Sequence, residues 1–105
     1  MANTFKSANL VATTSGADLI TSGGQCVILG LQLGNITSGE VTATVQIEPS
    51  GGSAFTFVNA VPVPANSTLA VVDGDKMVLE NGDKIVVTCS ANSSLNCVAS
   101  YLEIT

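Results

Sequence analysis

The sequence predicts an all-β protein: a single β-sandwich, of jelly-roll or immunoglobulin-like type, with a short N-terminal arm. Short runs of alternating apolar and polar residues recur between turns rich in Gly, Pro, Asn and Ser, and no segment has a helical period. Aromatic residues make up 4% of the chain, so Val, Ile, Leu and Ala have to build the core. A length of 105 residues allows one modest core, and residues 1–105 are predicted to form one domain.

The first quarter of the chain is the least regular part. The stretches FKSANLVAT and ADLIT fit two short strands, or an arm followed by one strand. Residues 1–14 are therefore predicted to be either an N-terminal arm or the first strand.

The middle of the chain has the clearest strand pattern. Residues 40–48, EVTATVQIE, alternate apolar and polar side chains, which places the apolar ones on one face. Residues 26–34, CVILGLQLG, predict a central strand, in which Gly30 marks a bulge or a close backbone approach.

Proline and turn residues divide the second half of the chain. Residues 54–61, AFTFVNAV, predict a strand, and Pro62 and Pro64 are expected to end its pairing at an edge or a crossing, because proline cannot donate to the ladder. Asn81-Gly82 lies between two strand-like segments and predicts a hairpin with a type I′ turn. The closing NCVASYLEIT predicts a C-terminal strand.

Charge and hydropathy argue against two classes of partner, nucleic acid and membranes. Three lysines stand against eight carboxylates, and a net charge of −5 opposes a grip on phosphate backbones, so nucleic acid is not an expected partner. No run of about 18 apolar residues is present, and the N-terminus MANTFKSANL lacks a basic segment followed by an apolar one. We therefore expect neither a membrane partner nor a signal for export.

The residues needed for catalysis are scarce. The chain has no His, which removes the usual general base and the commonest metal ligand. Asp73-Gly74-Asp75 resembles the start of a calcium loop, but the later ligand positions do not follow, and a turn explains it better. We predict no catalytic, cofactor-binding or metal-binding residues, and a protein that is not an enzyme.

Two of the three cysteines flank a Ser/Asn-rich turn near the C-terminus. Cys89 shares its parity with Ile85 and Val87, which predicts a buried small side chain. If the strands on either side of residues 90–96 pair, Cys89 and Cys97 come within reach of a disulfide. Packing is the favoured interpretation, because nothing in the sequence indicates an oxidising compartment.

Three stretches, MANTFKSANL, VPVPANSTLAVV and LENGDKIVVTCSA…CVASYLEIT, resemble small virion structural proteins of tailed bacteriophages, including cyanobacterial phages. The resemblance spans the chain from Met1 to Thr105. It implies a β-sandwich that follows a short arm, and a non-enzymatic particle component located in the virion and assembled in the host cytoplasm.

Within that group, the resemblance implies a capsid cement or decoration protein that binds the major capsid protein, or other virion proteins, on the outside of the capsid lattice. The alternative is a neck, tail or fibre-associated adaptor or a host-binding module. The partner-binding residues are predicted to be Phe5 and Lys6 in the arm, together with exposed strand edges. Self-association as a symmetric homo-oligomer is also expected. A carbohydrate-binding sandwich is disfavoured, because the chain has no Trp and one Tyr to form an aromatic platform.

Overall fold

The computed structural model describes residues 3–92 and 94–104, with side chains for all of these except 3 and 73–75. These residues form eight strands and no helix, which confirms the all-β prediction. The strands are β1 (Asn3–Val11), β2 (Ala17–Thr21), β3 (Gln25–Asn35), β4 (Val41–Glu48), β5 (Phe55–Val63), β6 (Thr68–Leu79), β7 (Lys84–Cys89) and β8 (Leu95–Ile104). Among the described residues, no helix is long and apolar enough to cross a membrane.

The strands form two antiparallel sheets packed as a sandwich. The first sheet has the order β1-β8-β3-β6 and the second has the order β2-β7-β4-β5. The pairs are nested, since β1 pairs with β8, β2 with β7, β3 with β6 and β4 with β5. This eight-stranded order is that of a jelly roll and differs from the seven-stranded immunoglobulin arrangement. The predicted single β-sandwich is therefore confirmed in its jelly-roll form.

Of the two alternatives for residues 1–14, the structure contains the first strand. Asn3–Val11 pairs with β8 over nine consecutive residues without a shift of register. Ala8 and Leu10 pack against the core, and Ser7, Asn9 and Val11 are exposed, so the pattern is that of a strand at the edge of a sheet. The segment around Phe5 and Lys6 is thus an edge strand rather than an arm, and Met1 and Ala2 lie outside the described residues.

The core lies between the inner faces of the two sheets. β7 alternates throughout between buried and half-buried side chains, and β4 does so from Val41 to Val45, after which Ile47 is only partly buried against the core. In β3 the register shifts between Ile28 and Gly30, so Ile28, Leu31 and Leu33 all face inward. Of the two alternatives given for Gly30, the structure therefore contains the bulge. The buried apolar residues are Ala12, Leu19, Ile20, Cys26, Ile28, Leu31, Leu33, Val41, Ala43, Val45, Val63, Val72, Leu79, Ile85, Val87, Cys89, Leu95, Cys97 and Ala99.

The Asn81-Gly82 turn joins the two sheets and does not form a hairpin. β6 belongs to the first sheet and β7 to the second, and Asp83 N donates to Glu80 O at 3.1 Å across the turn. Gly82 has φ +88°, whereas Asn81 is not among the described residues with positive φ, so the turn has the positive φ at its third position, as in type II. The predicted type I′ hairpin is wrong, because the chain changes sheets here.

The turn predicted at Asp73-Gly74-Asp75 is wrong, because strand β6 runs through these residues.

The pairing of β5 also differs from the prediction. β5 is an edge strand, as expected, but its pairing with β4 continues through Pro62, which lies opposite Thr42, to Val63, which lies opposite Val41. Proline is tolerated because its nitrogen can face away from the neighbouring strand at a sheet edge.

Candidate interaction surface

All three phenylalanines of the chain are exposed. Phe5 is 77% exposed, Phe55 63% and Phe57 41%, and none belongs to the core. A protein of this size normally buries such side chains, because each offers more apolar area than a Val or a Leu. Large apolar side chains left on the surface mark candidate contact sites.

Phe5 begins an apolar row on the outer face of the first sheet. The strand registers place Phe5 opposite Leu102, Leu102 opposite Val27, and Val27 opposite Val78. The row crosses all four strands, and its two ends, Phe5 and Val78, are more than half exposed. The outer face of the second sheet is polar by contrast, with Thr44 opposite Thr88 at its centre.

Lys6 is paired with a carboxylate of the neighbouring strand. Lys6 Nζ donates to Glu103 Oε1 at 2.7 Å, and this hydrogen bond raises the pKa of Lys6 and lowers that of Glu103. Gly23 N also donates to Glu103, at 3.4 Å. Lys6 therefore fastens β1 to β8, and its predicted contact with a partner stays a prediction.

A shallow depression lies beside Val11 at the other end of β1. Its volume is about 320 Å³, and it is lined by Asn9, Leu10, Val11, Asn96, Cys97 and Val98. Val11 and Val98 are each about half exposed, so apolar surface borders the depression on both strands. The first sheet thus carries apolar surface at both ends of its β1 edge.

Phe55 and Phe57 lie on β5, at the opposite side of the sandwich from β1. β1 contacts β2 and β5 contacts β6, which places the two aromatic edges on opposite sides. The β4–β5 register shifts twice, and Ala60 in β5 has φ +49°. Ala60 N turns away from the regular ladder and donates to Thr44 Oγ1 at 3.1 Å.

The buried polar residues hold loops in place. Asn35 Nδ2 donates to Gly39 O at 2.8 Å and to Val63 O at 3.0 Å, and its Oδ1 accepts from Thr37 N at 2.9 Å. In the part of the chain that the structure describes, every buried side-chain nitrogen or oxygen has a hydrogen-bond partner. Within the same residues, no group of three or more acidic or sulfur side chains is arranged to hold a metal ion.

The cysteines lie in the core. Cys89 and Cys97 belong to different sheets, so β7 and β8 do not pair around residues 90–96, and both thiols are free. Cys89 is 5% exposed, which confirms its predicted burial, and Cys97 is 1% exposed. Burial, followed by the nearby Cys89, raises the pKa of Cys97 to about 11. A thiol with a raised pKa is a poor nucleophile at neutral pH.

The sequence matches no protein-family model and no curated protein.

Sequence reasoning named Phe5 and Lys6, and the structure places both on the edge strand β1. It did not single out Phe55 and Phe57. The available signal was the pair of prolines that follows them, because prolines predict an edge, and an edge strand leaves its side chains incompletely covered.

Proposed function

We propose that the protein is a non-enzymatic structural component of a bacteriophage virion, a cement or decoration protein that binds the outside of the capsid lattice and stabilises it. The exposure of all three phenylalanines carries the proposal. The core is built from aliphatic side chains, and the aromatic rings lie on the protein surface, where they are available for contact with a partner. The jelly roll alone carries no argument, because this fold serves many functions.

The positions of the aromatic edges suit a bridging role. Phe5 lies on β1, and Phe55 and Phe57 lie on β5, at opposite sides of the sandwich. A component with two separate contact sites can join neighbouring protein surfaces, and repetition over a symmetric lattice adds many modest contacts into a large stabilisation.

An adaptor or host-binding module at the neck, tail or fibre is the second candidate. The same exposed edges would serve it, so the two candidates differ mainly in copy number. A lattice component is present in roughly hundreds of copies per particle, whereas a ring or fibre component follows its symmetry, at about three to twelve copies.

Quantitative mass spectrometry of purified virions tests the proposal. Virions of the phage that encodes this chain are expected to contain it at capsid-like copy number, relative to the major capsid protein. A count of a few copies would replace the cement role by the neck or tail role. Absence of the chain from purified virions would overturn both.

A rebinding assay tests the contact residues. Particles made without the chain are incubated with the purified wild-type protein, with the double variant Phe55→Ser/Phe57→Ser, or with Ile36→Ser. Ile36 is 59% exposed and serves as the matched control, since it lies outside the strands, in the loop between β3 and β4. The double variant is expected to bind at least about tenfold more weakly, and the control to bind as the wild type does. Equal binding by all three would contradict the proposal.

A further inference from the structure

We propose that the free edge of β1 pairs with β1 of a second copy of this chain, antiparallel about a two-fold axis at Ala8, to form a homodimer with one continuous eight-stranded sheet. The inference stands on the four sheet edges and does not depend on the virion proposal.

Three of the four sheet edges are modified in ways that prevent pairing with another strand. β2 is only five residues long and its register shifts between Asp18 and Ile20. β5 has two register shifts, the positive φ of Ala60, and Pro62. β6 is displaced twice from its partner β3. Short length, bulges and proline are the usual protections of an exposed edge.

The β1 edge has none of these protections in the part that the structure describes. It is nine residues long, has no proline, and keeps one register throughout its pairing with β8. Its one charged residue, Lys6, is neutralised by Glu103. A long, regular edge with exposed Phe5 and Val11 is the kind of strand that pairs with another chain.

The backbone groups of β1 are oriented for such pairing. Ala12 N donates to Leu95 O at 2.9 Å, so these two residues form a hydrogen-bonded pair at the end of the β1–β8 ladder. Hydrogen-bonded and non-hydrogen-bonded pairs alternate along an antiparallel ladder. Counting back from Ala12, the even-numbered residues of β1 bond to β8, and the odd-numbered residues from 5 to 11 direct their N–H and C=O groups to the free edge.

The two-fold register at Ala8 makes β1 complementary to itself. It places Phe5 opposite the partner's Val11, and Ser7 opposite the partner's Asn9, with all four side chains on the outer face. Phe5 and Val11 are 77% and 47% exposed in the single chain, so each exposed apolar side chain gains an apolar neighbour. The odd-numbered pairs supply about eight backbone hydrogen bonds between the chains.

The depression beside Val11 receives the partner's phenylalanine in this register. The partner's Phe5 stands next to Val11, and the depression lies immediately beyond, between Val11 and Val98. Each copy has one Phe5 ring and one depression, so the two-fold axis places the ring of each copy at the depression of the other.

Charge does not oppose the contact. The net charge of −5 would disfavour self-association if carboxylates lined the interface, but the sequence has no Asp or Glu before Asp18. In this register Lys6 lies opposite the partner's Leu10, so the two lysines do not face each other.

Sedimentation equilibrium of the full chain tests dimerisation. The wild type is expected at twice the 10.6 kDa of one chain at micromolar concentration. Val11→Lys is expected to be monomeric. Val78→Lys, which changes a valine of similar exposure on the opposite edge strand of the same sheet, is expected to remain dimeric. A monomeric wild type, a dimeric Val11→Lys, or loss of the dimer in Val78→Lys would each overturn the proposal. Circular dichroism melting of each variant establishes that the domain is folded.

Crosslinking tests the register without relying on a disruptive variant. Ser7→Cys and Asn9→Cys are mixed in equal amounts, allowed to exchange subunits and mildly oxidised. The mixture is expected to form a disulfide between Cys at 7 and Cys at 9 of the partner, because opposite residues have Cα atoms about 5.5 Å apart. Each variant alone is expected to stay uncrosslinked, as is the wild type with its three buried cysteines. Crosslinking of Ser7→Cys with itself, or none in the mixture, would overturn the register.

Discussion

The β1 and β5 edges both expose phenylalanine, but their backbones differ. β1 is regular over nine residues, with its unpaired N–H and C=O groups in line. β5 is interrupted by two register shifts, a residue with positive φ, and a proline. Similar exposed side chains therefore lie on an edge that can accept another strand and on one that cannot.

The difference assigns different partners to the two edges. Strand pairing requires a continuous row of unpaired backbone groups on each of the two strands. β1 offers such a row, and β1 of a second copy offers the other. β5 can form contacts only through its side chains, so Phe55 and Phe57 fit a pocket or an apolar patch on another protein. A dimer formed through β1 presents one β5 edge at each far end, which is the geometry of a bridge.

The largest expected effect is the difference in stability between a substitution in the core and one on an exposed edge. Leu31→Ala, at a fully buried position, is expected to lower the free energy of unfolding by about 2–5 kcal/mol. Phe55→Ala is expected to change it by no more than about 0.5 kcal/mol, because an exposed ring contributes little to folding. Urea denaturation measures both. A cost above about 2 kcal/mol for Phe55→Ala would make this ring a folding residue and remove the reason to treat β5 as a contact edge.

Two proline substitutions should distinguish the side of β1 that bonds to β8 from the side that is a free edge. Ala8→Pro removes an N–H that bonds to β8 and is expected to lower the free energy of unfolding by about 1–3 kcal/mol, as the loss of a buried hydrogen bond does. Ser7→Pro removes an N–H that faces the free edge and should leave the monomer folded but unable to dimerise. Thermal melting and sedimentation measure the two effects. Equal destabilisation by both prolines would contradict the assigned backbone orientation.

Stability at alkaline pH should depend on the buried thiol of Cys97, which lies on β8 opposite Leu10 of β1. The pKa of Cys97 is raised from 9.0 to about 11 in the folded protein, chiefly by burial. The thiol's contribution to stability is therefore complete below pH 9 and is lost as the pH rises through 11. Thermal melts from neutral to alkaline pH are expected to fall more steeply for the wild type than for Cys97→Ala, and a reducing agent should change neither at neutral pH. Parallel curves would show that Cys97 is not buried as described.

The smallest effect concerns Lys6. Lys6→Met should lower the melting temperature slightly at low salt, and Lys84→Met, which removes the 3.5 Å pair with Asp18, provides the matched control. The pKa of Glu103 is lowered by Lys6, so the contribution of this pair is present above the usual carboxyl range and lost as the pH falls through the lowered pKa. A salt-independent effect would show that Lys6 acts by something other than charge.

The sequence predicted the strands whose two faces differ in polarity. β4 alternates cleanly because one face is buried and the other meets water, and its predicted bounds differ from Val41–Glu48 by one residue. β1 was ambiguous because an edge strand faces solvent on several sides, so its apolar residues do not alternate as strictly. Local periodicity therefore identified strands well and edges poorly.

Sheet membership could not be predicted from local pattern. Asn81-Gly82 has the composition of a hairpin turn, but the chain leaves the first sheet there and enters the second. The exposure of Phe57 was missed for a related reason, because the register shift near Val58 depends on how β4 and β5 pair. The change of sheet depends on contacts between distant parts of the chain, and the register shift depends on how two consecutive strands pair.

Residue-resolved hydrogen exchange, measured by NMR on dilute and concentrated samples of the full chain, tests the contrast between the two edges most directly. The odd-numbered amides of β1 from residue 5 to residue 11 are expected to exchange rapidly when dilute and to become protected as concentration rises, while exchange at the free edge of β5 stays unchanged. Rapid exchange of the β1 amides at every concentration, or equal protection at both edges, would contradict the account.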